Sequence, residues 1–404
     1  MTQDSDRLVV VGAGPVGVVA ALAAARRGFP VTLVESAHEV DDTPRASTFH
    51  PSTLEMVDSL GLMGEFLEVG LVARYFDFWD KPGHRLVARL DHDVLREETR
   101  FPFVVQTEQH KLARMGLRRL AGMPGVDIRL GCSFEHVEQH EGGVTAQVTG
   151  PDGPERIAGG WLLGCDGGRS AVRKDLGVEF EGYTWPERFL VLTTLFDFEA
   201  ATGCSYRSYL ADPEEWTNLF KVAGDDMTGR WRAVFPTRVD ESDEEATDEA
   251  STATRLAGIW PGAESGRLVH RKIYRVHQRV AARFRVGRVF LAGDAAHVNN
   301  PIGGLGLNCG IHDVMEFVET LEAVRAGADA SLFDRYERRR RELNIRFVQQ
   351  QTVENKRRLE ETDAGARSRR QDELKEIASD EERMRVFLRR TSLLDSVRDA
   401  HAIA

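Results

Sequence analysis

The sequence predicts an α/β protein in three parts. A three-layer domain of parallel strands and helices is interrupted by a mixed or antiparallel sheet domain and followed by a helical C-terminal region. Three observations predict it. The chain opens with a strand, glycine turn, helix and strand over residues 7–35. Its middle changes to period-two alternation rich in aromatic residues. Near residue 288 it returns to an apolar strand, a glycine-rich loop and a helix. A domain that is left and re-entered explains that return, and 404 residues exceed what one core usually holds.

Residues 7–11 (RLVVV) are an apolar run of strand length that leads into Gly12-Ala13-Gly14-Pro15-Val16-Gly17. The alanine-rich residues 18–27 read as a helix closed by Gly28, and residues 31–35 (VTLVE) as a second strand. Residues 107–120 carry apolar side chains at helical spacing. From 133 to 153 the period becomes two, with turns at Gly142-Gly143 and Pro151-Asp152-Gly153, a small antiparallel meander. It runs into 161–167 (WLLGCDG), a strand entering a turn. Residues 185–275 alternate and are rich in Trp, Tyr and Phe, as strands are. The acidic run 240–249 reads as the start of a surface helix. Residues 279–284 (RVAARF) look helical, with His277 as a cap. Residues 288–292 read as a strand, and 314–325 and the charged stretch 337–390 as helices, the latter a solvated face.

Bulk properties exclude several classes. A net charge of −11 argues against a nucleic-acid face and against anionic membrane surfaces. No apolar run approaches the roughly 20 residues of a bilayer span, and MTQDSDRL lacks the apolar core of a signal peptide. Cys132, Cys165, Cys204 and Cys309 form no CxxC pair and no ligand cluster, so neither a disulfide framework nor a metal site is expected. A cytoplasmic protein with reduced thiols, and with neither nucleic-acid nor membrane partner, fits best.

Three motifs carry chemistry. In GAGPVG, Gly12 allows a tight turn, Gly14 lets a pyrophosphate approach the backbone, and Gly17 lets helix and strand pack closely. The helix N-terminus offers free N–H groups and the positive end of its dipole. Glu35, at the end of the next strand, suits a ribose hydroxyl. Asp166-Gly167-Gly168-Arg169 and Gly293-Asp294 each follow a strand. A nicotinamide dehydrogenase needs neither, whereas the longer FAD needs anchors at its ribitol and flavin end. Gly303, Gly304 and Gly306 then leave bare backbone for a flat ring. The positive end of the following helix faces the ring edge that gains negative charge on reduction.

These motifs resemble those of the flavoprotein aromatic hydroxylases of the 4-hydroxybenzoate hydroxylase type (single-component, class A). The matching segments are GAGPVG with Glu35, CDGGRSAVR and GDAAHVNNPIGGLGLN, within residues 8–313. Pro44-Arg45-Ala46 and Gln106-Thr107-Glu108 also resemble family segments that line the FAD. The resemblance implies that Arg45 lies beside the cofactor and that Gln106 meets its adenosine side. It implies an FAD site made of Gly12, Gly14, Pro15, Val16, Gly17, Glu35, Arg45, Gln106, Asp166, Gly293, Asp294, Gly303, Gly304, Leu305, Gly306, Leu307 and Asn308. NADH or NADPH would be a transient co-substrate, O2 the oxidant, and a flavin C4a-hydroperoxide the species attacked by a small aromatic or heteroaromatic ring. The family's His-x-x-Pro-Pro becomes His297-Val298-Asn299-Asn300-Pro301, so Asn300 stands where a proline backbone faces substrate.

His297, Asn300 and Pro301 are therefore the candidates near flavin and substrate, and no catalytic triad is expected. His297 reads first as a ring that caps or packs the loop, and Cys309 as a small packing residue. Tyr206, Tyr209, Trp216, Trp231 and Asn300 are candidates for the substrate wall. The expected domains are 1–75, 101–184 and 275–345 for FAD, 76–100 and 185–274 for substrate, and 346–404 as the charged helical region. The expected activity is an NAD(P)H- and FAD-dependent aromatic-ring monooxygenase, acting as monomer or homodimer. The alternatives are a reductase or dehydrogenase of the same fold and a non-catalytic FAD-binding protein. The charged tail argues against the first, and the intact glycine motifs argue against the second.

Overall fold

The computed structural model describes residues 5–43 and 45–403; Pro44 and the first four residues, read above for their sequence, lie outside that set. A six-stranded sheet forms the first domain, in the order Arg285–Val286, Val289–Leu291, Trp161–Gly164, Leu8–Val11, Val31–Glu35, Val126–Leu130. All of its pairings are parallel except the edge pair Arg285–Val286 with Val289–Leu291. Helices Pro15–Arg26, Gln109–Leu120 and Leu305–Arg325 cover one face. The meander Ser133–His140, Gly143–Gly150, Gly153–Gly159 covers the other, with its turns where the sequence places them.

The unbroken apolar run at 8–11 follows from this layering. Leu8 and Val10 point into the helical core, Val9 and Val11 into the core under the meander. A strand covered on both faces needs no polar alternation. Each fully buried aliphatic side chain of this kind contributes about 1.5–3 kcal/mol. The helix after the turn sits very close to its strand: a Cβ on Gly17 would lie 1.9 Å from the Gly12 carbonyl oxygen.

An eight-stranded sheet forms the second domain. Its order is His297–Val298, Leu268–Ala281, Phe180–Thr194, Arg230–Pro236, Thr217–Val222, Arg207–Ala211, Tyr75–Asp80, Arg85–Asp91. Leu190, Leu192 and Trp231 face helix Glu249–Ile259; Phe189, Tyr209 and Val234 face the C-terminal helices. No helix among the described residues is long and apolar enough to cross a membrane.

Three expectations change. RVAARF is not helical: Leu268–Ala281 is one long strand paired with Phe180–Thr194. Both strands therefore overrun the expected limits at 185 and 274. The helix expected from 314 begins at Leu305, its first turns buried on nearly every side, so no polar face marks it in the sequence. The charged tail is not merely a solvated face. Leu359, Met384, Leu388 and Leu394 enter the core of the second domain.

The loop after Val289–Leu291 is tied down by one buried carboxylate. Asp313 Oδ2 accepts from the Gly293 N–H (3.1 Å) and pairs with His297 Nε2 (2.7 Å). Its Oδ1 accepts from Arg340 Nε (2.7 Å). All three side chains are essentially without solvent contact. Burial by itself would lower the His297 pKa, but the Asp313 carboxylate raises it to about 10. Burial would raise Asp313, but His297 and Arg340 bring it to about 2.

Arg340→Ala should cost about 3–5 kcal/mol in urea denaturation, because it strands a buried charge. The raised His297 pKa stabilises fully below the ordinary value of 6.5, and that contribution is lost as pH rises through about 10. The lowered Asp313 pKa stabilises fully above 3.8 and is lost as pH falls through about 2. The urea midpoint should therefore fall with pH between 6.5 and 10, and His297→Gln should flatten that slope. Equal slopes in both proteins would rule out the imidazolium–carboxylate pair.

Candidate active site

Two cavities meet at the glycine-rich loop. The first is a cleft of about 600 Å³, in the range of cofactor sites, along the C-terminal edge of the six-stranded sheet. Gly12, Gly14, Pro15, Val16, Glu35, Arg45, Asp166, Asp294 and Leu307 line it. Helix Pro15–Arg26 starts there with no side chain capping it. Glu35 Oε2 accepts from the Ala13 N–H (2.8 Å), and its Oε1 accepts from the Ala37 N–H (2.9 Å). The carboxylate so braces the turn while lining the cleft. Arg45 lines the cleft too, paired with Asp41 at 2.7 Å.

Asp166 Oδ2 accepts from the Ala171 (2.7 Å) and Val172 (3.1 Å) N–H groups, capping the short helix Ala171–Asp175. Its Oδ1 is buried without a partner, and burial raises the carboxyl pKa. Asp294 is exposed and lines the cleft, and desolvation by the surrounding protein raises its pKa as well. These features fit FAD: an uncapped helix N-terminus for the pyrophosphate and an orphaned acceptor at the wall.

The second cavity is tight, with about 70 Å³ free, and lies between the eight-stranded sheet and the C-terminal helices. Phe76, Phe78, Arg207 and Tyr209 form its sheet side; Gly303 and Leu305 form its floor. Leu374, Ile377 and Phe387 come from helices Ala364–Ser379 and Glu381–Thr391. Gly303 and Leu305 thus face one cavity, and Leu307 and Asp294 the other. Gly304, between them, has φ +67°, a conformation that favours glycine, and caps helix Leu305–Arg325.

Several sequence candidates take other places. Gln106 does not line the cleft. It is buried in strand Val104–Gln106, its Oε1 accepting from the Thr48 hydroxyl (2.9 Å), while Gln109 and His110 reach the cleft. Asn308 is a clamp. Its Nδ2 donates to the Thr48 (2.8 Å) and Gly304 (2.6 Å) carbonyls, and its Oδ1 accepts from the His50 N–H (2.9 Å). Asn300 turns inward rather than toward a cavity. Its N–H donates to Gln278 Oε1 (3.0 Å) and its Oδ1 accepts from the Ile302 N–H (3.1 Å).

Pro301 is exposed and opens a turn in which the Gly304 N–H reaches its carbonyl (3.0 Å). Gly293 is held under the loop by Asp313, and Gly306 packs at Asn299. Tyr206 and Trp231 lie on the opposite face of the sheet, Trp231 against Phe198, because strand alternation carries them away from the cavity. Trp216 packs on Phe189 within the core; of the four aromatic candidates only Tyr209 lines the cavity. His297, Cys309 and Asp313 come within 4.8 Å of one another, a spacing open to a metal, but the Arg340 guanidinium contacts both Asp313 and Cys309.

Sequence reasoning missed Arg207 and His50. The His50 Nε2 lies 2.9 Å from the Gly303 carbonyl, and Arg207 Nη2 donates to the same oxygen at 3.4 Å. Burial, then the Arg207 charge, holds the His50 pKa well below its ordinary value. It also missed Phe76 and Phe78, whose alternation in YFDFWD was the available signal.

Comparison with known proteins agrees with this geometry. Residues 6–351 match the family model FAD_binding_3, described as FAD binding domain. Para-nitrophenol 4-monooxygenase of Pseudomonas sp. (strain WBC-3) is 35% identical over 387 residues, covering 95% of this chain and 94% of that protein. The 6-hydroxy-3-succinoylpyridine 3-monooxygenase HspB of Pseudomonas putida (strain DSM 28022 / S16) is 30% identical over 389 residues, covering 95% and 96%. The crystal structure of p-nitrophenol 4-monooxygenase PnpA from Pseudomonas putida DLL-E4 superposes with a TM-score of 0.89 at 32% identity, covering 95% of this chain and 98% of that one. The chain belongs to the FAD_binding_3 family and is a flavoprotein of the class A aromatic hydroxylase type.

Proposed function

We propose that this protein uses NAD(P)H and O2 to hydroxylate a small aromatic or heteroaromatic compound, with FAD in the first cleft and substrate in the second cavity. The observation that carries this reading is the shared wall. One stretch, residues 303–307, where the glycine loop becomes helix Leu305–Arg325, lines the dinucleotide cleft on one side and an aromatic-lined slot on the other. When bound and reduced by NAD(P)H, FAD supplies the activated oxygen. The reductase alternative needs no second cavity of this shape against the cofactor wall.

The chain's own residues bind, orient and exclude water. The uncapped start of helix Pro15–Arg26 would hold the pyrophosphate, and Glu35 the adenosine ribose. Asp166 and Asp294 would accept hydrogen bonds from the ribitol half. Helix Leu305–Arg325 aims its positive end where negative charge would collect. Phe76, Phe78 and Tyr209 pack on one another, with the Tyr209 ring edge to face at 4.9 Å and 5.9 Å from the two phenylalanine rings, and would form one aromatic wall for a ring to lie against. Burial pushes the Tyr209 pKa up, so its hydroxyl keeps its proton. Leu374, Ile377 and Phe387 close the slot against water. The division follows: the six-stranded sheet with its helices serves FAD, and the eight-stranded sheet with the C-terminal helices serves substrate.

Asp294→Ala should purify with several-fold less FAD per chain, read from flavin absorbance against protein; full loading would remove Asp294 from the cofactor site. Ile377→Trp should raise KM for the substrate by roughly tenfold, with FAD content unchanged, because it fills the slot. The reading as a whole is tested by NADH- and NADPH-dependent oxygen uptake over phenols, aromatic acids and hydroxylated N-heterocycles, with hydrogen peroxide counted separately. One compound should stimulate uptake and leave as a hydroxylated product. Flavin reduction without oxygen transfer to any compound would favour the reductase.

A further inference from the structure

One helix of the second cavity is held unlike its neighbours. Ala364–Ser379 supplies six of the residues that line the slot, yet none of its 16 residues is buried. Its inward stripe, at positions 367, 370, 371, 374 and 377, is only half-buried, because it faces open volume rather than packed side chains. Ile377 and Ala378 reach the core of the second domain only as half-buried side chains. The helices on either side differ: Gln350–Leu359 buries Thr352 and Leu359, and Glu381–Thr391 buries Leu388. A segment docked with so few buried apolar contacts lies at the low end of local stability.

What fastens this helix is polar. Asp80, the last residue of strand Tyr75–Asp80, accepts from Arg367 Nη2 and Gln371 Nε2, both at 3.3 Å. Arg85, on the edge strand, donates from Nη2 to Gln371 Oε1 (2.7 Å) and stands 3.7 Å from the Asp80 carboxylate. The ion pairs Arg370–Glu361 (3.4 Å) and Arg383–Glu376 (2.6 Å) run to the helix's own flanking segments and do not tie it to the sheet. Residues 360–363 and Asp380 interrupt the helical run at its two ends. Asp363 Oδ1 accepts from the Ala366 N–H (2.7 Å), and Asp380 Oδ1 from the Arg383 N–H (3.0 Å). This helix and the next therefore each carry their own N-cap, which survives if the two separate.

The other walls of the slot are fixed. Its floor, Gly303 and Leu305, has the cofactor cleft behind it. Strands Tyr75–Asp80 and Arg207–Ala211, which carry Phe76 and Tyr209, are each hydrogen-bonded on both sides. The two neighbouring helices are anchored by their buried leucines. Only about 70 Å³ is free inside, so a ring enters only if a wall moves, and Ala364–Ser379 is the wall that can.

We propose that helix Ala364–Ser379 is the gate of the second cavity, that Asp80 is its latch, and that small aromatic ligands enter when the helix lifts from the sheet edge rather than past the cofactor. This rests on the second cavity being the substrate site. Closure behind the ligand would keep water from the reaction, as mobile segments do over other active sites.

Access to the slot is measurable without knowing the substrate. Thr391 lines the slot and is 6% exposed, and the four native cysteines are buried. In FAD-loaded protein carrying Thr391→Cys, methyl methanethiosulfonate should label position 391 slowly, with the rate read by mass spectrometry. Adding Asp80→Ala should speed that labelling by roughly fivefold or more, and Asp80→Asn by less. Cys309, 1% exposed among the C-terminal helices, is the control, and its labelling should not change. Amide hydrogen exchange should quicken over 364–379 in Asp80→Ala and stay as it is over 381–391.

An unchanged rate at position 391 in both Asp80 variants overturns the proposal. So does a rise shared equally by Cys309, which marks general loosening rather than a gate. Labelling that rises only when FAD is removed places the entrance on the cofactor side and overturns it too. The assay needs neither NAD(P)H, O2 nor substrate. A working gate in a protein that hydroxylates no compound would sink the monooxygenase reading and leave this one standing.

Discussion

The Asp313 carboxylate is the constraint on which the rest of the site depends. Three donors converge on it: the backbone of Gly293, the imidazole of His297 and the guanidinium of Arg340. They come from the loop after a sheet strand, from an edge strand of the other sheet, and from helix Leu332–Leu343. A single buried charge therefore joins both sheets to the helical layer. Because burial penalises each ion alone, the arrangement is stable only when all members are in place. That interdependence suits a loop that must hold its shape between two ligands.

The end of the glycine loop and the first turn of helix Leu305–Arg325 lie between the two cavities. Asn308, His50 and Thr48 hold this stretch through backbone contacts, and Arg207 and Asn355, from the wall of the second cavity, donate to the Gly303 and Ile302 carbonyls. Glycine at 303 and 304 then does two things at once: it allows the left-handed backbone and it leaves the surface bare. The second cavity meets the bare Gly303 backbone, whereas the cleft meets the side chains of Leu307 and Asp294.

What was legible in the sequence is what local geometry alone dictates. Gly12, Gly14 and Gly17 are needed wherever a strand turns into a helix around a pyrophosphate, and their spacing is short enough to see. The meander was legible because period two and its glycine turns are local too. Arg207 was not legible: one arginine in a strand looks like any solvent-facing residue until the sheet curls it inward. Asn308 was misread for a related reason, since its partners His50 and Thr48 are 258 and 260 positions away. The aromatic candidates split by strand parity, with Tyr209 on one face and Trp231 on the other, and parity is set by register rather than by composition. In the tail, the arginines and glutamates that dominate helix Ala364–Ser379 hid the inward stripe of Leu374 and Ile377.

The C-terminal helices have a further consequence. The cofactor half is built from backbone features that tolerate few substitutions, whereas the outer wall of the slot is made of ordinary side chains on separate helices distant in sequence from the glycine motifs. The two halves can therefore diverge at different speeds. Changes at 374, 377 or 387 would reshape the second cavity and leave the glycine motifs as they are. One scaffold of this kind is open to many ring systems through drift in a segment that composition alone would dismiss as a polar tail.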